Sequence, residues 1–250
     1  MPPVALVTGS RKGIGRRVAE HLAARGYRVV GCSREPADWS AAGYEHRIAD
    51  VTVEPEVVAL VAGIRRDLGA PAVLINNAGV ASMNHALLTP GETADRVLRT
   101  SVLGTFLVSR ECGKLMMRER FGRIVNFTSV AVPLALEGEA VYVAAKGAVE
   151  ALTRTLAREF GPMGITVNAI GPGPLDTDLT RAVPPEKIQA LVERMAVRRR
   201  TTFEDVTNVV DFLVRPESSA VTGQTIYLGG PRFPSGSWSG CARAARPRQS

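Results

Sequence analysis

The sequence predicts an α/β protein in which helices cover both faces of one doubly wound parallel sheet. Two observations carry that reading. Short β-branched apolar runs alternate with longer stretches of helical periodicity from Val4 to residue 230, with no linker or break in composition. A glycine-rich turn, Thr8-Gly9-Ser10-Arg11-Lys12-Gly13-Ile14-Gly15, joins the first of those runs to the first helical stretch. Strand–helix–strand units of this kind close by right-handed crossovers, with ligands at the carboxyl ends of the strands.

Val4–Val7 is the expected first strand. Ile14–Arg25 is the first helix, because Ile14, Val18 and Leu22 recur at four-residue spacing and lay an apolar stripe on a sheet. Arg28–Cys32 is the second strand, Glu45–Ala49 a weaker one before Asp50, and Pro55–Leu68 a helix. Val73–Asn76, Arg123–Phe127, Thr166–Ile170 and Thr225–Leu228 complete the strands, each β-branched and bounded by Gly, Asn or Pro. Between them lie the helical stretches Gly91–Arg120, Val141–Phe160 and Phe203–Val214. The segment Pro174–Arg200 interrupts the alternation directly after a strand end, a position that suits a lid. Residues 231–250, rich in Gly, Ser, Pro and Arg, read as a disordered or partner-docked tail.

Composition narrows the function. With 250 residues, 45% hydrophobic and 22% charged, wholesale disorder and collagen-like structure are excluded. No apolar run approaches the ~18 residues needed to span a bilayer, and the amino terminus shows no signal peptide. Cys32, Cys112 and Cys241 have no metal or disulfide spacing and fit a reducing cytoplasm. Four arginines of the tail (Arg232, Arg243, Arg246, Arg248) carry most of the net +7. The body mixes both signs, so neither nucleic acid nor membrane is expected as a partner. His21, His46 and His85 are scattered, so no metal site is expected; His85 is a weak candidate for substrate contact. Leu107 and Met116-Met117 read as helix packing.

The glycine spacing is G-x-x-x-G-x-G rather than the general dinucleotide pattern G-x-G-x-x-G. Asn76-Asn77-Ala78-Gly79 follows the fourth strand; Tyr142 and Lys146 follow Ser129 by thirteen and seventeen residues; Pro172-Gly173 precedes Thr177. Together these motifs resemble the classical short-chain dehydrogenase/reductase family, over Val4 to Gly230, and within it the 3-oxoacyl-(acyl-carrier-protein) reductases. The resemblance implies one Rossmann-type domain over residues 1–230. It also implies a homotetramer built on the helices Gly91–Arg120 and Val141–Phe160.

The chemistry of the pair Tyr142 and Lys146 follows from their spacing. Residues at i and i+4 share one helix face. A phenol has a reference pKa near ~10, and a nearby ammonium is expected to lower it toward a range useful for acid–base work. Tyr142 is the expected proton donor to a ketone oxygen held by Ser129. By the resemblance, Lys146 also binds the nicotinamide ribose. An ordinary half-exposed Tyr and a solvated Lys would be the bland reading of this pair alone; Ser129 and the glycine loop argue against it.

Ser101 stands where family members carry an asparagine. By resemblance, that asparagine supports through its main chain a water linked to the lysine, and keeps a helix locally kinked. Catalysis slowed by this departure is expected.

The cofactor set comprises Gly9, Ser10, Arg11, Lys12, Gly13, Ile14 and Gly15 in the first turn, Ser33 and Arg34 after the second strand, and Asp50 and Val51 at the adenine. Asn77, Ala78, Gly79, Tyr142, Lys146, Pro172, Gly173, Leu175 and Thr177 complete it. Gly31-Cys32-Ser33-Arg34 offers no carboxylate to repel a 2′-phosphate, and Arg34, Arg11 and Lys12 offer it charge-assisted hydrogen bonds. NADP(H) is therefore the expected cofactor.

The substrate is expected to be a ketone, either bound to a carrier protein or a small molecule such as a polyketide-like carbonyl. Arg120, nine residues before Ser129, fits a carrier-docking position by resemblance, whereas Met163 stands where a second basic residue is common. In Arg198-Arg199-Arg200, one arginine is usual for the family and the other two read as solvated. A nucleotide-binding regulatory or scaffold protein without turnover is the alternative from another class.

Overall fold

The structure is a computed structural model and describes residues 2–177 and 183–230. The expected tail, 231–250, and the middle of the expected lid lie outside the described residues. The described residues build seven strands: β1 Val4–Thr8, β2 Arg28–Ser33, β3 Tyr44–Ile48, β4 Pro71–Asn76, β5 Gly122–Phe127, β6 Ile165–Gly171 and β7 Thr225–Tyr227. They form one sheet in the order β3-β2-β1-β4-β5-β6-β7, every pair parallel.

Alternate residues of the central strands feed two cores. Leu6, Val30, Leu74 and Ile124 pack toward α2 (Glu54–Leu68) and α4 (Gly104–Glu119). Val7, Val29, Ile75 and Val125 pack toward α1 (Gly13–Ala24) and α8 (Phe203–Val214), where they meet Val18, Leu22, Val206 and Val210. Burial on both faces is why these strands read as continuous apolar runs. The order reverses between β1 and β4, so a crevice opens where their carboxyl ends diverge. No helix among the described residues is long and apolar enough to cross a membrane.

The stretch expected as one helix over Gly91–Arg120 is instead broken. It runs as α3 (Gly91–Leu98), a π-helical turn (Arg99–Leu103) and α4, ending on Arg120 in the left-handed region at φ 48. Two contacts account for the break. Gly104 lies so close to Val51 that a Cβ there would stand 2.7 Å from Val51 Cγ2. Thr105 Oγ1 donates 2.7 Å back to Ser101 O, a bond that bends helices. The break falls at Ser101, and π turns recur at functional sites.

Past β6, a short helix α7 (Pro185–Glu193) starts on Pro185, whose missing N–H costs nothing at that position. Just after it, Met195 packs with Val130 and with Leu134 of the short helix α5 (Ala131–Leu134), while Arg194 Nη2 donates 2.8 Å to Leu134 O. The described part of the expected lid is thereby fastened to the loop after Ser129.

Candidate active site

The glycine turn lies at the carboxyl end of β1. Gly9 has φ +66, and a Cβ on it would stand 2.9 Å from Ala78 Cα. A Cβ on Gly15 would collide with Gly9 O and Asn77 Nδ2, so only glycine lets α1 start this close to β1 and β4. Asn77 Nδ2 donates to Thr8 O (3.0 Å) and Gly9 O (3.1 Å), while Thr8 Oγ1 accepts from the main-chain N–H of Asn77 (3.1 Å) and Ala78 (3.0 Å). The first turn of α1 has no side-chain cap and no acidic residue. Its N–H groups and dipole are therefore available to an anion, and this cradle fits a dinucleotide diphosphate. Thr177 reaches the same place, its Cγ2 lying 3.9 Å from where a Gly13 Cβ would be. Thr201 fixes the segment before it, accepting from Gly173 N (3.1 Å) and donating its N–H to Pro174 O (3.1 Å).

The proton-handling groups meet at the carboxyl ends of β4 and β5. Tyr142 and Lys146 share a face of α6 (Ala140–Phe160), with Lys146 Nζ 5.8 Å from the Tyr142 ring centroid. Ser129 Oγ accepts from Ala131 N at 3.1 Å and hydrogen-bonds the Tyr142 phenol. Lys146 is buried and donates 2.8 Å to Phe127 O. Gly79 links this group to Asn77 of the cradle, because a Cβ there would stand 3.3 Å from Lys146 Nζ, 3.7 Å from Ser101 Oγ and 3.7 Å from Asn77 O. Ser101 Oγ is buried without a hydrogen-bond partner. Thus Ser129, Tyr142, Lys146, Ser101 and Gly79 come together.

One expectation is reversed. The Tyr142 phenol is not made acidic. Burial pushes it up to about 12, against the Ser129 hydrogen bond, and the nearby Glu139 carboxylate raises it further. Burial also lowers Lys146 to about 8, and its ammonium is turned to Phe127 O rather than to the phenol. Desolvation disfavours both charged forms here and outweighs their mutual attraction.

A family sequence model described as Enoyl-(Acyl carrier protein) reductase matches residues 9–230. The 3-oxoacyl-[acyl-carrier-protein] reductase of Escherichia coli is 32% identical over 236 residues, 92% of this chain and 97% of that one. The chain belongs to the short-chain dehydrogenase/reductase family. The corresponding reductase of Pseudomonas aeruginosa is 34% identical over 239 residues, with 92% and 97% covered. Among solved structures, a variant of actinorhodin polyketide ketoreductase with NADPH superposes with TM-score 0.84 at 31% identity, covering 92% of this chain and 96% of that one. A putative gluconate dehydrogenase of Agrobacterium tumefaciens reaches 0.85 at 32% identity, covering 91% and 94%. As a short-chain dehydrogenase/reductase, the protein is an oxidoreductase of carbonyl and hydroxyl groups that works with a nicotinamide cofactor.

The family's adenosine end is wired differently here from what the sequence led us to expect. Ser10 is fully buried, and its Oγ lies 3.0 Å from Tyr44 Oη, so its side chain faces the sheet and only its main chain faces the cradle. Val51 buries its side chain against Gly104. Asp50 keeps its expected part, its Oδ1 capping the turn by accepting from Thr52 N at 2.8 Å. A carboxylate is present after all: Glu35, directly after Arg34, pairs with Arg11 at 3.0 Å. Glu35 lies one residue beyond the carboxylate-free stretch Gly31–Arg34. Arg34 is exposed at the same strand end.

Arg120 lies well away from Ser129. It precedes β5 whereas Ser129 follows it, so about 20 Å of strand separates them within one protomer. Its Nη2 donates to Pro162 O at 3.3 Å, at the amino-terminal end of β5 and β6, opposite the crevice.

Proposed function

We propose that the protein is an NADPH-dependent ketone reductase in which Tyr142 donates the proton. The observation that carries this is the grouping of Ser129, Tyr142 and Lys146 beside the Gly9–Gly15 cradle, with Gly79 in contact distance of Lys146 and of Asn77, which bonds Gly9. Ketone reduction needs a hydride on carbon and a proton on oxygen; the cofactor supplies the hydride when bound. A phenol at about 12 holds its proton throughout the neutral range, so Tyr142 enters the reaction as an acid. The Ser129 hydroxyl, fixed by Ala131 N, holds the carbonyl oxygen beside it. Once the proton has moved to the alkoxide, the Lys146 ammonium steadies the phenolate left behind.

NADP(H) over NAD(H) rests on Ser33 and Arg34 at the end of β2, with Arg11 and Lys12 in the glycine turn. The 1–230 domain and a homotetramer belong to the same proposal. Phe106 and Met117, exposed along one face of α4, suit self-association. The test is NADPH consumption on a ketone panel, each ketone offered free and on carrier protein. Turnover of free ketones with NADPH supports the reading. Cofactor binding without consumption on any member of the panel replaces it with the regulatory or scaffold role.

Ser101 gives a prediction of its own. Its carbonyl already accepts from Thr105 Oγ1, while its unpartnered hydroxyl faces Lys146 across Gly79. The shorter serine side chain holds the helix kink and the lysine-linked water less firmly than the family's asparagine does. Ser101→Asn is expected to raise kcat roughly three- to ten-fold, about 1 kcal/mol of barrier, with little change in KM. An unchanged kcat would show that the serine costs nothing.

A further inference from the structure

Resting on the NADP(H) reading, we propose that Glu35 is a specificity-determining latch: a built-in anion that occupies the 2′-phosphate position and must be displaced before NADP(H) seats. Three contacts converge on this residue. Its carboxylate Oε2 lies 3.0 Å from Arg11 Nη1. Its carbonyl accepts from Ser33 Oγ at 2.5 Å and lies 3.1 Å from His46 Nε2. Arg11 and Ser33 are two of the groups assigned to the phosphate, so one residue engages both.

The turn that carries Glu35 is tied to the cradle. His46 Nδ1 lies 2.6 Å from Tyr44 Oη, which lies 3.0 Å from Ser10 Oγ. Trp39 stacks on Tyr44 at 4.0 Å, and its Nε1–H is shared between Ser10 O (3.2 Å) and Arg11 O (3.1 Å). Glu35 is thus held where a cofactor's 2′ substituent would meet Arg11 and Arg34. A 2′-phosphate carries about −1.5 to −2 charge, so it competes with the carboxylate for Arg11 and is repelled by it. A bare 2′-hydroxyl meets neither penalty. The latch therefore lowers preference for the phosphorylated cofactor without touching the diphosphate cradle. The pair is exposed, Arg11 by 39% and Glu35 by 65%, so its effect is modest.

Calorimetry on the full chain with two probes that differ only by the 2′-phosphate, adenosine 2′,5′-bisphosphate and 5′-AMP, tests this apart from turnover. Glu35→Gln keeps the size of the side chain and the main-chain bond to Ser33. It is expected to tighten the bisphosphate about five- to ten-fold and 5′-AMP by less than about two-fold. In an Arg11→Met background the same substitution should gain less than about two-fold, because the competed-for cation is gone. If the native chain prefers the bisphosphate and Glu35→Gln leaves that preference unchanged, the latch is overturned while the NADP(H) reading stands. If the native chain shows no preference and Glu35→Gln creates one, the latch is upheld and the NADP(H) reading falls. No preference in either protein overturns both.

Discussion

Tyr142→Phe is expected to lower kcat for ketone reduction by roughly 10²–10⁴-fold while leaving the Kd for NADPH within about two-fold. The substitution removes one oxygen and keeps the ring that packs beside Lys146. The acid is lost, along with the hydrogen bond to Ser129; the Gly9–Gly15 cradle is not touched. Steady-state kinetics combined with fluorescence titration of NADPH separates the two quantities. A variant that binds NADPH normally and reduces ketones within about ten-fold of the native rate would remove Tyr142 from the chemistry.

The second large effect is at Gly15. An alanine Cβ there has no space, because Gly9 O and Asn77 Nδ2 already occupy it and both are held by the β1–β4 junction. Neither can yield as the tip of a flexible side chain would, so α1 must back away from the crevice. Its first-turn N–H groups then no longer converge on one point. Gly15→Ala is expected to weaken NADPH binding at least about 100-fold, and to cost about 2 kcal/mol or more of stability. A thermal melt alongside calorimetry reads both. Unchanged affinity in a variant that melts normally would show that the diphosphate is not bound at this helix start.

The alternation of strand and helix was legible because every central strand is covered on both faces, so the strands are mostly apolar, Val4–Val7 throughout and Ile165–Gly171 but for Thr166 and Asn168. The glycine turn and the spacing of Ser129, Tyr142 and Lys146 were legible because each role tolerates few residue types. What the sequence hid depends on three-dimensional surroundings. The direction of the Tyr142 shift is set by how much solvent the fold removes, a quantity the i, i+4 spacing with Lys146 does not contain. The π turn at Ser101 needed the contact of Gly104 with Val51, fifty-three residues away. The pairing of Glu35 with Arg11 depends on how the turn after β2 folds back. The distance of Arg120 from Ser129, in contrast, was there to be read: a strand separates them, so they lie at opposite ends of β5.

The account depends on Tyr142 reacting as a neutral acid kept protonated by burial, beside a lysine whose charge is lost above about 8. The pH dependence of kcat in both directions tests this most directly. NADPH-driven reduction should be flat below about pH 8 and fall above it, as Lys146 loses its proton and can no longer steady the phenolate. Oxidation of the product alcohol needs the phenolate as base, so it should be slow at neutral pH and rise steadily on the alkaline side. Reduction that accelerates with rising pH, or two profiles that share one optimum near neutrality, would contradict it.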